Sequence, residues 1–85
     1  MTNEEIGQKV RDILVRKFAV DPARIAPTTR LAEDLGVDSF GAVELMFEIE
    51  ETFSLKIPDS DMQHVRTVND IVVYIRAWLD QKAKT

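Results

Sequence analysis

Apolar residues recur at helical spacing along three stretches of this chain, and no stretch alternates apolar with polar as a half-buried strand would. Ile6, Val10, Ile13, Leu14 and Phe18 form the first stripe. Leu45, Ile49 and Phe53 form the second, at i, i+4, i+8. Val68, Ile71, Val72, Ile75, Trp78 and Leu79 form the third. Amphipathic helices bury such stripes against one another. The chain has 85 residues, which favours one domain over residues 1–85. A domain of that size hides only about 60–65% of its unfolded surface, so the core is modest. The predicted fold is all-α: a small bundle of three long helices plus one short helix.

Local chemistry sets the boundaries. Thr2-Asn3-Glu4-Glu5 reads as a capping box and opens helix one, over about residues 3–18. Residues 19–37 are predicted as a long loop, because Asp21-Pro22, Pro27 and Gly36 interrupt any helix. Ile25, Leu31, Leu35 and Val37 would pin that loop onto the core. A loop of this length is often functional. Asp38 offers an N-cap for helix two, over about residues 39–53. Asp59-Ser60-Asp61-Met62 is the short helix, just after Pro58. Thr67-Val68-Asn69-Asp70 is a second capping box and opens the last helix. The polar tail over residues 81–85 is expected to fray.

Several function classes fall away. The chain lacks cysteine, which excludes a disulfide framework, a thiolate metal site and a cysteine nucleophile. His64 is the only histidine and reads as a surface residue near the short helix. Gly7, Gly36 and Gly41 lack the spacing of a phosphate-binding loop. No constellation supports an enzyme. No apolar run approaches the roughly 20 residues that span a bilayer. The polar N-terminus carries no secretory signal. The expectation is a cytoplasmic monomer without membrane insertion.

Charge is unevenly placed. Residues 31–61 carry nine acids against Lys56 alone, while residues 1–30 and 62–85 each balance at +2. An acidic centre argues against a nucleic-acid partner and for proteins with basic patches. Helix two concentrates the signal. Glu44, Glu48 and Glu51 recur at i, i+4, i+7 as an acidic ridge. As a group they read as a solvated face rather than a metal site. Phe40, Val43 and Phe47 recur at i, i+3, i+7 between ridge and core stripe, and Met46 adds apolar surface. Apolar residues over so much of a helix that also carries an acidic ridge point to a docking face. The alternative is that Phe40 and Phe47 fill the core. Ser39 falls in the first turn, where free N–H groups and the helix dipole favour a phosphate. Asp-Ser at a helix start is also a common capping arrangement.

The run Asp34-Leu35-Gly36-Val37-Asp38-Ser39-Phe40 resembles the Asp-Leu-Gly-x-Asp-Ser-Leu signature of the acyl carrier proteins. The resemblance continues through Val43-Glu44-Leu45, Ile49-Glu50-Glu51, Phe53, Ile57-Pro58-Asp59 and Thr67-Val68-Asn69-Asp70. It implies that Ser39 receives a 4'-phosphopantetheine arm from coenzyme A through a phosphopantetheinyl transferase, with Asp38 recognised by that transferase. Acyl groups would ride on the arm's thiol between enzymes of fatty-acid, polyketide or modified-lipid synthesis, of ketosynthase, acyltransferase and reductase types. It assigns docking to Phe40, Val43, Glu44, Phe47, Glu48, Glu50 and Glu51. An aminoacyl (peptidyl or D-alanyl) carrier and an unmodified acidic adaptor are the alternatives. The sequence departs from the family in two places, with Phe40 where Leu is usual and Gly41 where a polar residue is usual. Gly within a helix costs about 1 kcal/mol against Ala, so Gly41 implies a frayed first turn or a close approach. Both departures leave two readings open, the housekeeping fatty-acid carrier and a specialised carrier of a dedicated pathway.

Overall fold

The computed structural model describes residues 1–83, and residues 84–85 of the predicted tail lie outside the described residues. Five α-helices follow in order: α1 (Asn3–Phe18), α2 (Leu31–Leu35), α3 (Ser39–Phe53), α4 (Asp59–Met62) and α5 (Val68–Ala83). The three long helices fall where the apolar stripes put them. Residues 81–83, predicted to fray, continue α5.

Both capping boxes form. The Thr2 hydroxyl accepts from the Glu5 N–H at 3.2 Å, and the Glu5 carboxylate accepts from the Thr2 N–H at 2.8 Å. At α5, the Asp70 N–H donates to the Thr67 hydroxyl at 3.1 Å, and Asp70 accepts from the N–H groups of Arg66 and Thr67. These bonds satisfy donors that a helix start leaves free.

Ile6, Val10, Ile13 and Leu14 of α1 meet Leu45, Ile49 and Phe53 of α3 and Val68, Ile71 and Ile75 of α5 in one core. Met46 joins them at 5% exposure, so it is a core residue and adds nothing to the outer face.

The connection over residues 19–37 is more ordered than its prolines and glycine predict. It holds a 3-10 turn over Pro22–Arg24 and the five-residue α2. Pro27 lies upstream of α2, and Gly36 ends it with φ 71 rather than preventing it. Asp34 reaches back to accept from the Arg30 N–H at 2.8 Å, which closes the turn. Ile25, Leu31 and Val37 are buried as expected, and Leu35 is half-buried. The backbone of the connection is pinned to the start of α5, through Leu31 N–H to Arg66 O at 2.9 Å and Val68 N–H to Thr29 O at 3.0 Å. Buried Thr29 is fully used: its hydroxyl accepts from Ala26 N–H and donates to Arg24 O. The long loop is thus a fixed brace that delivers residues 37–39 to the head of α3.

Candidate functional site

At the head of α3 the cap and the serine divide the work. The Asp38 carboxylate accepts from the Gly41 N–H at 2.7 Å, so Asp38 is the N-cap. Ser39 is exposed, and its hydroxyl has no hydrogen-bond partner among the described residues. The fold has no use for the Ser39 hydroxyl. Around it stand the first-turn N–H groups of a 15-residue helix, a setting that favours a phosphate.

Gly41 is buried, and the close approach it permits is internal. A Cβ there would lie 3.1 Å from Cε1 of Phe18, 3.2 Å from Oδ1 of Asp38 and 3.4 Å from Cγ1 of Val37. The residue is glycine because the end of α1 packs across the first turn of α3.

A groove of about 420 Å³ starts at Ser39 and runs between α3 and α4. Ala42, Val43, Met46, Phe47, Ile57 and Met62 make its apolar lining. Ile57 and Met62 escaped the sequence reading as site residues. Only their position on either side of Pro58, on the segment that faces α3, could have hinted at them. An exposed nucleophilic hydroxyl beside an open, largely apolar groove fits a phosphate-linked arm with a hydrocarbon cargo.

The outer face of α3 carries Phe40, Val43 and Phe47, at 73%, 43% and 61% exposure. Two phenylalanines left this far in water have no part in the core. Glu44 and Glu51 flank them on the same face.

The acidic ridge expected from spacing is divided by tertiary contacts. Glu48 turns to α1 and pairs with Arg16 at 3.1 Å and Lys17 at 3.6 Å. Glu50 accepts from the Ile57 N–H at 2.7 Å and holds the turn that follows α3. Both were expected to dock partners; in the structure their carboxylates also make contacts within the chain. Among the described residues, no group of three or more metal-ligating side chains converges. No described helix is long and apolar enough to cross a membrane.

Tyr74 on α5 donates to Asp61 of α4 at 2.7 Å. Burial, then this bond, raises the Tyr74 hydroxyl above its ordinary value. Spacing could have found it, since Ile71, Tyr74 and Trp78 recur at i, i+3, i+7.

Comparison with known proteins agrees with this geometry. The family model described as a phosphopantetheine attachment site matches residues 8–75. An acyl carrier protein of Amoebophilus asiaticus is 45% identical over 78 residues, covering 92% of this chain and 98% of its own length. One from Chlorobium phaeobacteroides is 41% identical over 75 residues, covering 88% and 96%. One from Aster yellows witches'-broom phytoplasma is 43% identical over 70 residues, covering 82% and 92%.

Proposed function

The chain belongs to the phosphopantetheine attachment-site family, with acyl carrier proteins as its relatives, and from that premise we propose that Ser39 is the residue that bears the arm. The family consists of carriers rather than enzymes and bears a 4'-phosphopantetheine group. The observation that carries the assignment is the division of labour at the head of α3. Asp38 does the capping, and the Ser39 hydroxyl is left exposed and unbonded.

In the transfer, the Ser39 oxygen bonds to the phosphopantetheine phosphorus as its proton leaves, and the nucleotide half of coenzyme A departs. The first-turn N–H groups of Ser39 and Phe40 favour the resulting phosphodiester charge. When bound, the arm supplies the thiol that carries acyl groups as thioesters. The cysteine-free chain offers no competing thiol. The groove lined by Val43, Met46, Phe47, Ile57 and Met62 would shelter hydrocarbon, which favours an acyl over an aminoacyl cargo. An unmodified adaptor would have no need of the free hydroxyl.

Phe40, Val43 and Phe47, with Glu44 and Glu51, form the surface offered to a transferase and to acyl-processing enzymes of ketosynthase, acyltransferase and reductase types. Aromatic anchors supply the binding energy there, and the flanking carboxylates steer encounter. Glu48 and Glu50 act through the fold. This reading includes a monomeric single domain over residues 1–85 working in the cytoplasm on fatty-acid or related acyl synthesis.

Incubation with coenzyme A and a broad-specificity phosphopantetheinyl transferase tests it by intact mass. The wild type gains one phosphopantetheine, and Ser39→Ala gains none. An unmodified wild type beside an active transferase contradicts the assignment.

A further inference from the structure

Behind the groove at Ser39 lies a second space, inside the bundle. It is a void of about 10 Å³ among Met46, Ile49, Ile57, Val65, Tyr74 and Ile75. A space that small is at the limit for one water and holds no hydrocarbon. Met46 and Ile57 line both the groove and the void, so these two side chains are the partition between them. Ile57 lies at the start of the segment that carries α4, and Met62 and Val65 lie on it or just beyond it. Whatever holds α4 in place therefore holds the partition closed.

Beyond the packing of Ile57, Met62 and Val65 on the core, few hydrogen bonds hold α4 in place. It is one turn of four residues, with no side-chain cap at its start. A single turn has no helical stability of its own. The backbone hydrogen bonds of residues 58–65 run among themselves: Asp61 and Met62 to Pro58 O, His64 to Asp61 O, Val65 to Met62 O. The segment is anchored at its two ends, by Ile57 N–H to Glu50 of α3 and by Leu31 N–H of α2 to Arg66 O. Between those ends, among the described residues, the bond from Tyr74 to Asp61 is the one hydrogen bond that ties residues 58–65 to another helix. Tyr74 also contributes its ring to the void. The same side chain thus forms a wall of the space and the tie that keeps it shut.

We propose that the Tyr74–Asp61 hydrogen bond straps α4 over the partition at Met46 and Ile57, and so limits how far an acyl chain on the arm enters the bundle. Short acyl groups remain in the outer groove while the strap is closed. Longer chains gain entry only when α4 swings away from α5. The cargo half of this proposal rests on the carrier reading of Ser39; the strap itself does not.

Tyr74→Phe tests it, because the ring is kept and only the donor is lost. Asp61→Ala removes the acceptor and leaves the ring untouched. Amide exchange on the unmodified protein reads the strap without any arm. Both variants should speed exchange at residues 61–65 about 2- to 10-fold, with the core of α1 and α3 unchanged. On the modified protein, hydroxylamine cleavage of an octanoyl thioester should slow about threefold in Tyr74→Phe as the chain gains shelter, on the scale of one lost hydrogen bond. Cleavage of an acetyl thioester should not change. Unchanged exchange at residues 61–65 in both variants overturns the strap. Octanoyl and acetyl thioesters that respond alike overturn its control of cargo. If Ser39 takes no arm, the carrier reading fails, and amide exchange still decides the strap.

Discussion

Gly41 and Gly7 both lie within helices, and their surroundings give them opposite roles. A Cβ at Gly7 meets nothing within 4 Å, so Gly7→Ala should gain the helix propensity of about 1 kcal/mol and raise Tm by about 5 °C. At Gly41 the same gain is opposed by Phe18 at 3.1 Å and by the capping carboxylate of Asp38 at 3.2 Å. Overpacking costs about 1–3 kcal/mol, and displacing Asp38 weakens a cap worth about 1 kcal/mol. Gly41→Ala should therefore lower Tm by about 5 °C in a thermal melt, despite its better propensity. An increase would mean that Phe18 yields freely. The sequence marks Gly41 as an oddity but not its reason, because the crowding comes from Phe18, across the connection and on another helix. Asp38 and Ser39 were legible, since capping is a local matter. Asp38 caps as its place predicts; that the Ser39 hydroxyl is left without a partner was not legible, because that depends on what packs around it.

At the scale of the element, α3 has a face for the core, a face for α1 and a face for water. Its core stripe follows from periodicity, which also sets Phe40, Val43 and Phe47 apart on one face but leaves open whether Phe40 and Phe47 fill the core; their exposure decides that. The fate of its carboxylates does not, because Arg16 and Lys17 reach Glu48 only after α1 has packed. This separates two kinds of variant. Glu44→Lys with Glu51→Lys should lower kcat/KM for a transferase acting on Ser39 about 10-fold or more at low salt, through slower encounter, and added salt should narrow the gap. Glu48→Gln should leave that value unchanged and lower Tm by about 3 °C, as expected for a pair worth about 0.5 kcal/mol. If Glu48→Gln slows transfer as much as the double reversal, the ridge acts as one surface after all.

Over the whole molecule, carboxylates tie the starts of four described α-helices, through Glu5, Asp34, Asp38 and Asp70. Glu5, Asp34 and Asp70 are each held below their ordinary values, first by the backbone N–H groups of Thr2, Arg30 and Arg66. A carboxylate with a lowered folded pKa stabilises the fold above its unfolded value and loses that contribution as pH falls through the folded one. Unfolding monitored by circular dichroism should show stability holding from neutral pH down to the ordinary values of 4.5 and 3.8, then declining below them. A stability that rises below pH about 4 would mean that relief of repulsion in the acidic centre outweighs the caps. The bundle itself was readable from three stripes and two capping boxes, because those signals are local. The small helix α2 was not, because it exists through Leu31 entering a core built by other segments and through Asp34 closing its first turn. The groove at Ser39 was hidden likewise, since α3 and α4 form its walls only once they are packed.

If Ser39 bears the arm, it carries the molecule's single thiol, and thiols can be counted. The chain has no cysteine, so the unmodified protein should give no reaction with a thiol reagent even when denatured. After treatment with coenzyme A and transferase, followed by removal of small molecules, the wild type should give one reactive thiol per chain, and Ser39→Ala none. A treated wild type that still gives no thiol, or a Ser39→Ala protein that gives one, would contradict the assignment.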